Sequence, residues 1–124
     1  MATEIDLGGY GIFPMGSTPV ARYRAVKINS SGELVVAQGS AGPIMGIVKL
    51  DNAKAGQATN VQTQGIAKVE SGATLAAGAR VSTDANGKLK AVATGDYPLG
   101  VVLEAAVDGR IVKVDLYRSQ TASA

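Results

Sequence analysis

The sequence predicts an all-β domain, from three observations: short alternating segments, abundant turn residues and almost no helical periodicity. The chain has 124 residues, of which 16 are glycine, and glycine suits tight turns between short strands. Alanine supplies 20 residues and tryptophan none, so we expect a thin core of small side chains. Together these features favour a small β-barrel or sandwich of about nine short strands.

The first segment, residues 1–20, predicts an extended N-terminal arm outside the domain. Its glycines and prolines disfavour a helix, and its apolar residues follow no sustained period. A frayed terminus is one interpretation. However, disordered segments are usually poor in aromatic and large aliphatic residues, and this segment contains both. An arm that becomes ordered against a partner is the other interpretation.

From Arg22 onward, short segments with period-2 alternation are separated by turn residues. The predicted strands cover residues 23–28, 33–38, 44–50, 59–63, 65–70, 79–83, 89–93, 98–104 and 110–117. Asn86-Gly87 is the strongest hairpin signal, because both residues tolerate the positive φ of a type I′ turn. We expect the domain to span residues 21–117 and a flexible C-terminal tail to follow over 118–124.

An internal repeat is visible along the predicted domain. Residues 26–38 align with 81–93, each with a turn that ends in glycine before a short strand. A segment of proline, aliphatic residues and glycine then recurs at 43–48 and 98–102, and 54–63 aligns with 107–116. Because the order of these elements repeats, the sequence predicts a duplicated β unit of roughly 53–55 residues.

Composition excludes several classes of function. The net charge is +2, and no cluster of Lys or Arg forms a stripe that would follow a nucleic-acid backbone. The chain has no Cys and no His, which removes disulfides, thiol nucleophiles, the usual general base and the commonest zinc ligands. No apolar run approaches the roughly 20 residues of a membrane span. We therefore expect no nucleic-acid, membrane or metal partner.

The ten acidic residues also give a weak case for catalysis or metal binding. Asp51, Asp84, Asp96 and Asp108 lie beside small or turn-forming residues and are typical of turns. The segment 84–88 lacks the spacing and the terminal Glu of an EF-hand calcium loop. The glycines near the N-terminus are not followed by the Lys-Ser/Thr of a phosphate loop. We expect no enzymatic activity, no cofactor and no small-molecule substrate.

The ordered elements from Tyr23 to Leu116 resemble a known family, the capsid decoration or cement proteins of tailed bacteriophages. The resemblance is carried by YRAVKI, by the Pro-Ile/Leu-Gly-Ile/Val-Val segment, by GIAKVESGATLAAGARVSTDANGKL and by the closing RIVKVDLY. It covers roughly residues 20–117. The stretch at 65–81, with glycines on both sides of an Ala-rich turn, is the most characteristic part.

This resemblance implies a β-tulip or small β-barrel without enzymatic activity. It implies a virion protein, made in the cytoplasm of the host bacterium, that associates as a homotrimer on the outer capsid surface. There it would bind the major capsid protein and cement neighbouring subunits of the expanded, DNA-filled shell. An N-terminal arm often contacts the capsid in such proteins. We therefore expect capsid contacts at six residues of the arm: Ile5, Leu7, Tyr10, Ile12, Phe13 and Met15.

Two alternatives remain open from the sequence. One is a non-enzymatic surface adhesion or carbohydrate-binding β module of a phage or bacterial fibre. Such modules usually present exposed aromatics as sugar platforms, whereas this chain has four Tyr, one Phe and no Trp. The other is a small hydrolase that uses carboxylates, for which no substrate is suggested by the sequence.

Overall fold

The computed structural model describes residues 10–49 and 54–117, and within these ranges the chain is all-β. The strands of the first sheet are β1 (Tyr10–Pro14), β2 (Ala25–Ile28), β3 (Leu34–Val36), β4 (Gly46–Val48) and β5 (Ala58–Gln62). The strands of the second sheet are β6 (Gly65–Glu70), β7 (Arg80–Thr83), β8 (Leu89–Ala91), β9 (Gly100–Val102) and β10 (Ile111–Leu116). A 3-10 turn at Gly39–Ala41 is the one helical element in the described ranges.

The ten strands confirm the predicted class and add one strand to the nine expected. The additional strand is β1, which falls in the segment predicted as an arm. Pro14 and the flanking glycines hide any alternation in the sequence of β1. Its strand conformation comes from antiparallel pairing with β5, about fifty residues away, where Gly11 lies opposite Val61.

The two sheets confirm the predicted duplication. The first sheet has the order β1-β5-β4-β2-β3 and the second β6-β10-β9-β7-β8, with antiparallel neighbours throughout. We call residues 10–62 the first unit and residues 65–116 the second unit. Val26 pairs with Val36 in the first unit and Val81 with Ala91 in the second, so the register repeats with a spacing of 55 residues.

The turn between the second and third strands of each unit is built in the same way. In the first unit, the Asn29 Oδ1 atom accepts hydrogen bonds from the backbone N–H groups of Ser31 and Glu33. In the second, the Asp84 Oδ1 atom accepts from the N–H groups of Asn86 and Lys88. These Asx-type bonds fix the turn locally, so the predicted turn residues have the expected role.

The buried apolar side chains form two clusters. The larger cluster, here the shared core, combines second-unit residues such as Val81 and Val114 with Ala25 and Ile47 of the first unit. The smaller cluster, here the first-unit core, contains Met15, Val20, Val26, Leu34, Val48 and Val61. Sheet β1–β5 therefore buries side chains on both faces, and one face packs against the second unit.

Backbone and side-chain hydrogen bonds join the two units. The Ala25 N–H donates to the Gly87 carbonyl at 2.9 Å, and the Thr83 hydroxyl donates to the Ala37 carbonyl at 2.8 Å. The Tyr97 N–H donates to the Gly39 carbonyl at 2.9 Å. Thus the Ala37–Gly39 segment of the first unit occupies a groove on the second unit.

Candidate functional site

Strand β1 forms one edge of the first sheet. Its backbone pairs with β5 from Tyr10, opposite Gln62, to Pro14, opposite Ala58. β5 is its single neighbour in the order of that sheet, but directly after β1 the chain forms a parallel bridge from Met15 to Leu34 of β3, so β3 closes that side at the end of β1. An open strand edge is a template for pairing with a further strand. Along Tyr10–Pro14, where β5 is the one described strand that pairs with it, β1 is therefore placed for backbone pairing with another protein.

The structure describes four of the six residues expected to contact a capsid. Ile5 and Leu7 lie outside the described residues. Tyr10 and Ile12 occupy positions in β1 whose backbone lies opposite Gln62 and Asn60 of β5. Phe13 is half-buried and packs against the first-unit core. Their contact with a capsid stays a prediction.

Met15, the sixth of these residues, is fully buried in the first-unit core. Its N–H donates to the Gln57 carbonyl and its carbonyl accepts from the Gly56 N–H, each at 2.8 Å. Its sulfur accepts from the Val20 N–H at 3.3 Å. The side chain of Met15 therefore serves packing within the first unit.

The division of the chain into arm, domain and tail also stays a prediction. Tyr10–Pro14 belongs to the first sheet, and the Gly16 N–H donates to the Leu34 carbonyl at 2.9 Å. Residues 10–16 are thus attached to the first unit, whereas residues 1–9 and 118–124 lie outside the described ranges. A truncation that keeps the first sheet whole ends at residue 9.

The turn aspartates have structural partners. Besides Asp84, described above, Asp96 is buried and accepts a hydrogen bond from the Ala93 N–H at 2.9 Å. The Lys90 ammonium lies 3.0 Å from the same Asp96 oxygen. Asp108 is exposed in a turn, and Asp51 lies outside the described residues. Across 10–49 and 54–117, no group of three acidic, His or Cys side chains is placed to hold a metal ion.

Glu70, at the end of β6, holds charges from both units together. Its carboxylate lies 3.5 Å from Arg24 Nε and 3.2 Å from Lys88 Nζ. All three side chains are roughly a quarter exposed, so solvent screens these ion pairs only in part. The Glu70 N–H also donates to the Tyr23 carbonyl at 2.9 Å, which makes Glu70 a connector between the units.

Tyr23 adopts a left-handed backbone conformation with φ of 69°, which is uncommon for a residue with a side chain. Gly78 has φ of 87° at the equivalent position of the second unit. The N–H groups of Tyr23 and Gly78 donate to the carbonyls of Val48 and Val102, which lie on the fourth strand of each unit. The Arg22 guanidinium lies 4.4 Å from the centre of the Tyr23 ring, a favourable cation–π contact.

Lys49, directly after β4, is influenced by two further cations. Partial burial lowers the pKa of Lys49 below its ordinary value, and the positive charges of Arg22 and Lys68 lower it further. Burial and like charges both disfavour the ammonium form. This group is thus a small positive region whose self-repulsion is a cost to the fold.

The outer face of the second sheet carries exposed apolar side chains. Ile66 is 61% exposed on β6 and Ile111 is 38% exposed on β10, and Leu103, just after β9, is 43% exposed. The alternation in residues 65–70 and 110–117 predicts this face, since Ile66 and Lys68 point opposite to the buried Ala67 and Val69. Sequence reasoning did not single it out as a site, because alternation alone gives no signal for a partner.

No helix among the described residues is long and apolar enough to cross a membrane.

Comparison with known proteins gives a family and a fold. The family model described as phage cement protein matches residues 16–116. Among solved structures, the chain is similar to the head fiber gp8.5 N base of bacteriophage phi29, with a TM-score of 0.70 and 18% identity. That similarity covers 92% of this chain and 99% of the other and shows the fold. No curated protein sequence gives a significant match.

Proposed function

Because this chain belongs to the phage cement protein family, and is thus a structural phage capsid protein, we propose that it cements the outer surface of an icosahedral shell. In this proposal it binds neighbouring copies of the major capsid protein after the shell expands and opposes the pressure of packaged DNA. The protein is made in the bacterial cytoplasm and becomes part of the virion. The family match over both repeated units is the observation that carries this proposal.

The N-terminal segment provides the capsid contact in this proposal. The open side of β1 offers backbone groups for strand addition, and Ile5, Leu7, Tyr10, Ile12 and Phe13 add apolar contacts. Met15 supports these residues by fixing the end of β1 in the first-unit core. Deletion of residues 2–9 removes the proposed apolar contacts at Ile5 and Leu7 and leaves the paired part of β1 in place.

We further propose a non-enzymatic homotrimer. The described turn acids Asp84 and Asp96 are engaged in hydrogen bonds or ion pairs, an arrangement that favours a structural role for them. A thin core gives one chain limited stability, and burial between subunits adds about 25 cal/mol per Å² of apolar area. Many copies on a lattice also allow each contact to be weak, because multivalent docking raises the overall affinity.

Co-sedimentation with capsid shells tests this function. Purified protein is mixed with undecorated shells from the cognate phage, in the unexpanded and the expanded form. We expect saturable binding to expanded shells only, and a higher temperature of shell rupture once the protein is bound. Absence of binding to expanded shells would refute the proposal.

A fibre base is the second candidate function. The structural neighbour is described as the base of a head fiber. By analogy, this chain would serve as the base of a fibre on a phage head. An adhesion module would bind glycans, so binding on a glycan array without binding to shells would support this candidate over cementing.

A further inference from the structure

The contact between the two units is not reciprocal. Gly87 of the second unit is buried against Ala25 of the first. Their equivalents, Gly32 and Arg80, are both exposed, and an ideal Cβ atom on Gly32 meets nothing within 4 Å. A twofold relation between the units would bury both pairs. The units instead contact each other through two different surfaces. Each unit therefore keeps one surface that the other unit does not cover.

The open surface on the first unit, here the front surface, consists of Lys27, Ile28, Gly32, Gly42 and Pro43. It includes a groove of about 520 Å³. The equivalent groove of the second unit includes Ser82, Thr83 and Tyr97 and is occupied by Ala37–Gly39.

The open surface on the second unit, here the back surface, consists of Arg80, Val92 and Val101. Their first-unit equivalents are Ala25, Ala37 and Ile47, which are all fully buried in the shared core. Arg80 is exposed, and Val92 and Val101 are half-buried. The segment Ala37–Gly39, which fills the groove inside the chain, thus has a counterpart at residues 92–94 of the second unit, where Val92 is only half-buried.

Side-chain sizes differ at the two surfaces. The back surface carries Arg80, Val92 and Thr94 where the first unit carries Ala25, Ala37 and Gly39, so it needs more room. The front surface gains space at Gly42, which stands where the second unit has Tyr97, but it carries Lys27 and Ile28 in place of Ser82 and Thr83. Because a Cβ atom on Gly39 would already crowd Ser82, the two surfaces lie slightly farther apart between chains than inside the chain. The same contact between chains would place Arg80 beside the Gly32–Glu33 turn, where opposite charges favour the contact.

We infer that the front surface of one copy of this chain receives the back surface of a second copy, repeating between chains the contact that joins the two units. This contact uses two different surfaces, and a contact of that kind closes into a ring when its rotation permits. The inference deepens the self-association in the proposed function, because a threefold ring requires such a contact. It does not depend on capsid binding.

Complementation between two surface variants tests this inference in the absence of shells. Ile28→Asp places a charge on the front surface and Val92→Asp places one on the back surface. We expect wild-type protein to sediment at about three times the 12.5 kDa chain mass and each variant alone as a monomer. An equimolar mixture retains one intact pair of surfaces and is expected to sediment as a dimer. Ile66→Asp, on the exposed face of β6, is the matched control and should keep the trimer.

Three results would overturn the inference: a monomeric wild type, an oligomer unaffected by either charge, or variants that stay monomeric when mixed. Circular dichroism checks that each variant is folded. Since shells are absent, failure of self-association is distinct from failure of capsid binding. A trimer that does not bind shells would refute only the proposed capsid binding.

An engineered disulfide keeps the test valid if the charged variants do not fold. Inside the chain, an ideal Cβ atom on Gly39 lies 3.1 Å from the Ser82 Cβ atom, and the equivalent pair between chains is Thr94 and Lys27. The chain has no cysteine of its own. Lys27→Cys with Thr94→Cys should give covalent oligomers on oxidation, whereas Lys27→Cys with Asp108→Cys should give none. Absence of the first cross-link would contradict the inference.

Discussion

The two units share one backbone arrangement but differ in which surfaces they bury. Their strand orders and registers correspond, and both turns between the second and third strands use an Asx-type hydrogen bond. Yet Ala25 is fully buried while its equivalent Arg80 is exposed. Positions that agree between the units are those the fold requires, and positions that differ record what each unit packs against.

The largest expected effect concerns positions that agree between the units, at the glycines of β4 and β9. A Cβ atom on Gly46 would overlap the Gln62 carbonyl, and one on Gly100 would overlap the Asp115 carbonyl. We expect Gly46→Ala and Gly100→Ala each to lower the free energy of unfolding by about 3 kcal/mol, because backbone is displaced in both. Urea unfolding measures this. A large loss in one unit alone would mean that the close approach is not a shared requirement.

The next largest effect concerns a position that differs between the units: the turn glycine Gly87 is buried, whereas its equivalent Gly32 is exposed. Gly87→Ala places a Cβ atom 2.9 Å from the Ala25 carbonyl oxygen, at a positive φ. Gly109→Ala has a similar φ of 87° with nothing within 4 Å, so it costs only the backbone strain, about 1 kcal/mol. We expect Gly87→Ala to cost about 2–3 kcal/mol in urea unfolding. Equal losses would show that the contact between the units adds no stability there.

The charges between the units give a smaller effect. Glu70→Gln leaves Arg24 and Lys88 without their carboxylate partner, and we expect a loss of about 0.5–1 kcal/mol at low salt. The loss should shrink in 1 M NaCl, where screening is nearly complete. Asp115→Asn, on an exposed face of β10, is the control and should change little. A loss that is independent of salt would contradict an electrostatic role for Glu70.

Lys49 gives the smallest effect and a dependence on pH. Because its folded pKa is lowered, the folded state binds fewer protons than the unfolded state just below the ordinary value of 10.5. The free energy of unfolding of the wild type therefore rises with pH through that window. We expect Lys49→Met to raise Tm at neutral pH, by less than Glu70→Gln lowers it, and the gain to disappear above that window. A gain that persists at high pH would contradict the assigned cause.

The strands of the two units could be predicted from sequence because their signals are local. Period-2 alternation, the Asn86-Gly87 turn and the repeat at 26–38 and 81–93 need no knowledge of tertiary contacts. β1 could not be predicted, because Pro14 and its glycines give no alternation and its pairing with β5 is long-range. Seven of the nine predicted strands are longer than those observed, since alternation continues into turns whose backbone leaves the sheet, whereas the prediction over 65–70 matches β6 at both ends.

The candidate surfaces were less accessible to sequence reasoning. Met15 has the same apolar character as Phe13, and only the fold shows that it is fully buried in the first-unit core. Likewise, Gly32 and Gly87 both occupy turns with similar signals in the sequence, and the docking of the units decides which one is covered. Burial that arises between repeats depends on geometry that one strand pattern does not encode.

A reconstruction of the decorated shell by electron cryomicroscopy tests the central claim most directly. We expect three copies of the chain around a threefold or quasi-threefold position, with β1 and the residues before it against the major capsid protein. Neighbouring copies should meet front surface to back surface. Saturated shells without density for this protein, or density in which β1 points away from the shell, would contradict the account.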